Sequence, residues 1–138
     1  MRRLILSAFF LAALSGGAAA EKMAYHCRID GTSERQWIQP MIFIALDRAI
    51  DRVVVSDASI LVFNDGVPVE GQLIRDNRSR VTVSWELEVR ASGNRRLLLD
   101  YRATFLKASG KVNVTAQPRG KGPLFNRAGN CLPTKLSP

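Results

Sequence analysis

Apolar and polar residues alternate without a break from Val81 to Val89, and this run constrains the fold more than any other part of the chain. Neighbouring side chains of a β-strand point to opposite faces, so a period of two predicts a strand with one buried face. The pattern returns twice after short polar interruptions. We predict that three successive strands have core sides formed by Val81, Val83, Trp85, Leu87 and Val89, then Leu97, Leu99, Tyr101, Ala103 and Phe105, then Val112, Val114 and Ala116.

The front half of the chain predicts further short strands and no long helix. Residues 25–29, 41–46, 53–55, 60–63 and 67–75 are rich in β-branched and aromatic side chains, and turn signals separate them. About eight strands joined by hairpins predict an all-β fold, a small antiparallel meander that closes into a barrel. A two-sheet β-sandwich is the alternative, because strand number and spacing do not separate the two folds.

An eight-stranded barrel either holds one small ligand or is filled by its own side chains. Trp85, Tyr101, Phe105 and Phe43 are together large enough to fill such an interior. We therefore favour a filled barrel, and a carrier of a small apolar ligand is an alternative function.

The first of the alternating hairpins has two candidate registers. Placing Trp85 opposite Tyr101 keeps both on the core side but sets Glu86 against Asp100 on the outer side. Like charges directly opposite one another destabilise a sheet. We therefore favour a register shifted by two residues.

The next hairpin has a glycine at its predicted turn. If Ser109 and Gly110 form a two-residue loop, Phe105 lies opposite Val114. Each core-side residue then meets another core-side residue, which a shift of one residue would prevent.

The first twenty residues have the features of a cleaved signal peptide. Arg2 and Arg3 precede an apolar run from Leu4 to Leu14, and small residues end the segment at 18–20. The apolar run is too short to cross a bilayer, which argues against a retained anchor. We expect a periplasmic or secreted protein, a single β domain over residues 21–138 and no membrane-spanning segment in the mature chain.

Two cysteines lie near the ends of the predicted mature chain. Cys27 and Cys131 are the only cysteines, and in an exported protein two cysteines most simply form one disulfide bond. Such a bond requires the first and last strands to be neighbours, as they are in a closed barrel. Free thiols or a metal site are the alternative.

Catalysis is poorly supported by the residue types present. The sole histidine, His26, adjoins Cys27, but adjacent strand residues point to opposite faces, so the two do not make a nucleophile–base pair. Glu86 and Glu88 share a strand face and are more typical of exposed charges than of a carboxylate pair that cleaves glycosides. We expect no enzyme, no catalytic residues, no metal and no cofactor.

The positive charge is concentrated in the second half of the chain. Residues 1–20 hold two of the twenty basic residues and none of the twelve acidic ones, so the predicted mature chain carries a side-chain charge of +6. No acidic residue follows Asp100. We predict that an anionic partner binds to a basic face and to a flexible segment over 119–127 in which Phe125 adds an apolar contact, the candidate cations being Arg102, Lys111, Arg119, Lys121 and Arg127.

Several anionic partners fit an exported basic protein. Lipopolysaccharide, lipid head groups, cell-wall polymer and acidic proteins all present phosphate or carboxylate groups. Nucleic acid is not expected, because basic and aromatic residues do not alternate on one strand face. The alternative is that these charges only keep the protein in solution.

The Tyr25-His26-Cys27 start after a signal segment, the β meander and the late Cys131 resemble the layout of the small bacterial inhibitors of c-type lysozyme. The resemblance implies an eight-stranded periplasmic barrel with inhibitory loops that carry serine and lysine, and no stretch of this chain matches those loops. Basic lysozyme would also be repelled by a protein of the same sign of charge. The layout is similar as well to uncharacterised exported proteins of Gram-negative bacteria, a similarity that implies no function.

Overall fold

The fold is an eight-stranded antiparallel barrel, seen in a computed structural model that describes residues 22–120 and 122–136. Each strand pairs with the next along the chain and the last pairs with the first, so the barrel is closed. The all-β class, the barrel and the strand number predicted from the sequence are therefore confirmed. The strands are β1 Lys22–Ile29, β2 Met41–Asp47, β3 Arg52–Asp57, β4 Val69–Asp76, β5 Arg80–Ala91, β6 Arg95–Leu106, β7 Lys111–Pro118 and β8 Phe125–Leu136.

A disulfide bond between Cys27 and Cys131 ties the first strand to the last, as predicted. The two cysteines lie directly opposite one another in the β1–β8 register. The predicted signal peptide over residues 1–20 lies outside the described residues. Within the described part of the chain, no helix has both the length and the apolar character needed to cross a membrane.

The barrel interior is filled by its own side chains. Of the thirteen residues predicted for the core sides of the alternating strands, Leu97 is half-buried and the other twelve are buried, namely Val81, Val83, Trp85, Leu87, Val89, Leu99, Tyr101, Ala103, Phe105, Val112, Val114 and Ala116. The prediction that Phe43 joins them is wrong. Its ring lies on the outer face with 49% of the residue exposed, stacked on His26 at 4.5 Å between ring centroids.

Residues 60–63 do not form the predicted strand, because the chain turns there into a short helix. This helix, α1, runs over Ala58–Phe63. The side chain of Asp57 caps it by accepting a hydrogen bond from the Ile60 amide at 2.8 Å. Ile60 itself is fully buried beneath the helix and closes part of the barrel end.

The β6–β7 hairpin is shifted by two residues from the predicted register. Phe105 lies opposite Val112, not Val114, and the faces are unchanged. The turn is a four-residue loop closed by a hydrogen bond from the Gly110 amide to the Leu106 carbonyl. A two-residue loop of the favoured kind needs a positive φ at both positions or at the first. Here only the second residue, Gly110, has one, at 75°.

The β5–β6 hairpin adopts the register that we disfavoured. Trp85 lies opposite Tyr101, and Glu86 lies directly opposite Asp100. The two aromatic rings stack in the core, nearly parallel and 5.1 Å apart between centroids. The prediction of a shifted register failed because it left out Arg119, which contacts both carboxylates from the chain after β7.

Two seams join the β1–β4 half of the barrel to the β5–β8 half. The β1–β8 seam has eight consecutive residue pairs, from Lys22–Leu136 to Ile29–Gly129. The β4–β5 seam has four pairs and is interrupted by an irregularity between Leu73 and Arg75. The loop over residues 30–40, helix α1 and the segment after β7 all lie at one end of the barrel, here called the upper end, because β1, β3 and β7 end there.

Candidate functional site

The structure separates the basic residues that the sequence grouped into one face. Arg102 and Lys111 lie on the outer surface of β6 and β7, where both are exposed. Arg119 follows β7 and faces carboxylates, and Arg127 stands within β8 rather than in a loop. Lys121 lies outside the described residues. The predicted flexible basic segment over 119–127 is therefore wrong for its second part, since β8 begins at Phe125.

Arg119 is committed to two carboxylates of its own chain. Its guanidinium donates hydrogen bonds to Asp100, at 2.7 and 3.2 Å, and also to Glu86. These contacts, those to Asp100 first, raise the pKa of Arg119 further above its already high usual value. The cation thus neutralises the like-charged pair across the β5–β6 hairpin, and we do not assign it to an external anion.

Arg127 occupies a different environment, at a position on the inner side of the barrel wall. Its strand partner Val114 is buried, and Arg127 is half-buried. Strand β8 extends past the end of β1, so the loop over 30–40 becomes its neighbour there, as the hydrogen bond from the Asp30 amide to the Ala128 carbonyl shows. The guanidinium donates to the carbonyl of Asn126 at 2.9 Å. No carboxylate within the described ranges forms an ion pair with it.

A pocket of about 260 Å³ opens at this residue. We call it the Trp37 pocket, and its wall is formed by Gln36, Trp37, Ile38, Phe125 and Arg127. Trp37 is half-buried and packs against the core, as does Phe125. The pocket therefore combines two aromatic walls with one cation, which suits an anion that carries an apolar part.

The loop that carries Trp37 is fixed by hydrogen bonds. The hydroxyl of Tyr101 donates to the Trp37 carbonyl at 2.8 Å. The buried side-chain amide of Gln39 donates to the carbonyls of Gln36, at 2.7 Å, and Glu34, at 3.2 Å. Burial raises the pKa of Tyr101 above its usual range, so this hydroxyl keeps its proton and remains a donor at neutral pH.

Asp57 is a buried acid at the same end of the barrel. Its residue is 4% exposed, and burial raises the pKa of the carboxyl to about 6, although hydrogen bonds from the amides of Ile60 and Ser59 oppose that rise. The carboxylate caps α1, and its charge is one reason for the raised pKa of Tyr101. A perturbed acid often marks a functional site. Here a structural role as helix cap accounts for its position.

A larger cleft of about 530 Å³ opens at the β4–β5 seam. The Gln72–Ser84 pair is the last one between these strands, and the start of β4, over Val69–Gly71, pairs only with β3. Glu70, Glu86 and Asp100 line the cleft with Trp85 and Tyr101. Glu70 is paired with Arg52 at 3.0 Å, as Glu86 and Asp100 are with Arg119, so this acidic lining is largely neutralised.

Among the described residues, no group of three or more His, Cys, Asp or Glu side chains is placed to hold a metal ion. His26 is exposed on the outer face of β1, while its neighbour Cys27 is buried in the disulfide bond. Glu86 and Glu88 are both exposed on the outer face of β5.

Sequence reasoning identified Arg127 and Phe125 but missed Trp37. The sequence at 36–39 predicts only a short strand or an extended loop before Pro40. The available signal was a tryptophan within a polar segment that lies between Gly31 and Pro40. Such a residue is typical of a loop that folds back over a core.

Comparisons with known proteins identify no match for this chain among family models, curated proteins or solved structures. The resemblance to small bacterial lysozyme inhibitors therefore stays a prediction from the sequence.

Proposed function

We propose that this protein is an exported, non-catalytic binding protein of the periplasm. We propose further that it binds an anionic envelope component whose apolar part lies in the Trp37 pocket. The observation that carries the proposal is the position of Arg127. Arg127 is half-buried, forms no ion pair with a carboxylate of the described residues and lines the pocket with Trp37 and Phe125, while its guanidinium donates to the Asn126 carbonyl. Charged groups in partly buried sites are normally paired, so a bound anion is the natural partner.

The charge of the whole chain supports an anionic ligand. No acid follows Asp100, and Arg102 and Lys111 are exposed on the outer surface of the same half of the barrel. A surplus of positive charge attracts anions over roughly a Debye length, about 8 to 10 Å at physiological salt. We therefore expect these two residues to speed association and Arg127 to hold the bound anion.

The size of the pocket limits what enters it. About 260 Å³ is smaller than a typical drug-sized ligand pocket, which begins at roughly 300 Å³. The interior below is filled by buried side chains, among them Ile42, Leu46 and Leu99. The ligand therefore inserts one ring or a short alkyl segment and leaves the rest of its body outside the barrel.

A set of short amphiphiles tests the proposal directly. Octyl phosphate, neutral octyl glucoside and cationic octyltrimethylammonium share one apolar chain and differ in the head group. We expect calorimetry to show the tightest binding for octyl phosphate and a change in tryptophan emission on binding, because Trp37 lines the pocket. Equal binding of all three amphiphiles, or binding of none, would overturn the proposal.

Two variants test whether octyl phosphate binds in the Trp37 pocket. Arg127→Gln is expected to weaken octyl phosphate at least tenfold, in line with the loss of one charge-assisted hydrogen bond of about 1.5–3 kcal/mol. Arg102→Gln removes the same charge from the outer surface and is the matched control, with less than a threefold effect at physiological salt. Equal losses in the two variants would show that net charge, not the pocket, determines binding.

A further arm identifies the source of the anion. Flotation with vesicles of phosphatidylglycerol and phosphatidylcholine measures binding to head groups in a membrane. Competition by octyl phosphate in the same experiment shows whether a free anion uses the same pocket. Loss of vesicle binding in Arg127→Gln would assign membrane binding to the pocket, whereas octyl phosphate binding without vesicle binding would assign the pocket to a free molecule.

A further inference from the structure

We infer that the free edge of β5 is a surface for a second copy of this chain, which adds its own β5 in antiparallel orientation. The inference goes beyond the proposed function, because it concerns the β4–β5 seam and not the Trp37 pocket. It begins from the register. β5 pairs with β6 along its whole length, from Arg80 to Ala91, but its last residue paired with β4 is Ser84.

The upper part of β5 therefore has one unpaired side. If the register of Gln72 with Ser84 continued, Val69 at the start of β4 would lie opposite Leu87, so Glu88–Ala91 extends past the end of β4. No backbone or side-chain hydrogen bond from another described residue reaches that side of Leu87–Ala91. Such an edge presents free N–H and C=O groups, which readily pair with another strand.

The side chains along this edge are complementary to themselves. In a two-fold antiparallel pairing, each contact occurs twice, because residue i of one copy meets residue j of the other and j meets i. If Val89 lies on the two-fold axis, Glu88 of each copy lies opposite Arg90 of the other. Both residues are exposed on the outer face of β5, where Glu88 forms an exposed ion pair with Arg96 at 3.5 Å and Arg90 donates to Asn94 at 2.8 Å, so the contacts across the axis would be added to, or replace, these surface contacts. Opposite charges at directly paired positions stabilise a sheet.

The inner and flanking residues fit the same pairing. On the inner face, Leu87 and Val89 are already buried within the barrel and Ala91 is half-buried, so the pairing adds backbone hydrogen bonds there and little new buried area. Helix α1 packs against β5 and leaves Leu61 42% and Val62 74% exposed. These apolar side chains would extend the buried area of the interface, which hydrogen bonds along five residue pairs alone would leave small.

Sedimentation equilibrium over a range of concentrations measures the self-association. We expect a monomer–dimer equilibrium for the wild type. Glu88→Lys and Arg90→Glu should each weaken it about tenfold, because each turns two attractive contacts into two repulsive ones. The double variant Glu88→Lys/Arg90→Glu should restore it to within about threefold of the wild type, since the opposite charges then meet again. Glu34→Lys makes the same charge change in the exposed loop at 30–40 and should leave the monomer–dimer equilibrium unchanged.

Amide hydrogen exchange locates the contact without any substitution. The amides of Glu88–Ala91 should exchange more slowly as the protein concentration rises, while the loop amides of Lys107–Ser109 should not change. A protein that stays monomeric at about 1 mM, with freely exchanging edge amides, would sink the inference. A dimer that both single variants leave intact, or that the double variant fails to restore, would do the same. Protection of the edge only on addition of a different polypeptide would assign the edge to that partner instead.

The test of self-association is independent of the test of ligand binding. Arg127→Gln should leave the monomer–dimer equilibrium unchanged, and Glu88→Lys should leave binding of octyl phosphate unchanged. Either proposal can therefore fail while the other stands.

Discussion

The β1–β8 seam and the β4–β5 seam join the same two halves of the barrel, yet the first is closed along eight residue pairs and the second along only four. A disulfide bond lies within the first seam, and a cleft of about 530 Å³ opens at the second. This barrel is therefore closed more completely at one seam than at the other. The seam made by the ends of the chain is held covalently, and the seam in the middle of the chain leaves a strand edge free.

The largest expected effect comes from removing the covalent part of the closed seam. The disulfide joins residues 104 positions apart, and loss of a link that closes so long a loop should lower the free energy of unfolding by about 4–5 kcal/mol in the chain-entropy model. Chemical denaturation of Cys27→Ala/Cys131→Ala measures this. Hydrogen exchange should show faster opening at the β1–β8 seam than at the β6–β7 pair. A double variant as stable as the wild type would show that strand pairing alone closes the barrel.

The next effect concerns the cap of α1, which packs on β5 beside the open seam. Burial raises the pKa of Asp57 from 3.8 to about 6. For an acid whose folded pKa is raised, the unfolded chain ionises first, so the contribution of Asp57 to stability is greatest below about pH 4 and falls as the pH rises to about 6. The shift corresponds to a loss of up to about 3 kcal/mol.

Asp57→Asn removes this pH dependence while keeping a good cap residue. We expect the variant to be more stable than the wild type at pH 8 and to show a flatter profile between pH 4 and 6, as measured by urea denaturation at each pH. Asp65→Asn, in the exposed turn after α1, is the control. A variant less stable than the wild type at pH 8 would show that the charge of Asp57 is needed by a partner.

Two glycines, one in each seam, are approached closely by the backbone of the neighbouring strand. A Cβ at Gly129 would lie 2.0 Å from the carbonyl oxygen of Arg28 in the closed seam, and one at Gly71 would lie 2.5 Å from that of Ser84 in the open seam. Gly129→Ala should destabilise the protein by about 1–3 kcal/mol, as overpacking does. Gly71→Ala should cost less, because β4 has room to move at the open seam. Thermal unfolding of both variants tests the order, and a larger loss for Gly71→Ala would reverse the comparison.

The smallest effect is expected at Arg119, on the rim of the open seam. Arg119→Gln leaves Glu86 opposite Asp100 without a neutralising cation. We expect a slightly lower melting temperature at pH 7, and high salt should reduce the difference from the wild type. Adding Glu86→Gln should restore the loss. No difference between Arg119→Gln and the wild type at low salt would show that solvent screens the carboxylate pair without help.

Local patterns predicted most of the strands, but β8 begins within the segment predicted to be flexible over 119–127, and a helix replaces the strand predicted over 60–63. Alternation sets which side chains face the core, and the same faces are buried whichever even shift of register is used, as the β6–β7 hairpin shows. The register of the β6–β7 hairpin depends on the turn conformation at Gly110, and that of the β5–β6 hairpin depends on Arg119, a cation that follows β7. The alternating patterns of the paired strands reveal neither of these two determinants of register. The helix at 58–63 was missed because residues 60–63 are apolar and include β-branched Ile60 and Val62, whereas the cap from the buried Asp57 favours the helix.

The candidate sites depended on tertiary structure still more. Arg119 and Arg127 are eight positions apart in one basic segment, yet one neutralises two carboxylates and the other lines a pocket with Trp37. Sequence spacing does not report which strand ends before its neighbour. That difference in strand length is what brings the loop at 30–40 beside Arg127.

By itself the sequence determined the β class, the core faces of the alternating strands and the pairing of the cysteines, because a period of two is a property of the chain and the chain has only two cysteines. Only the tertiary structure decided which charges are already neutralised, where the Trp37 pocket lies and which strand edge stays free. The physical reason is that each of these depends on where separate strands begin and end relative to one another. Burial and hydrogen bonding over the whole barrel settle those offsets together.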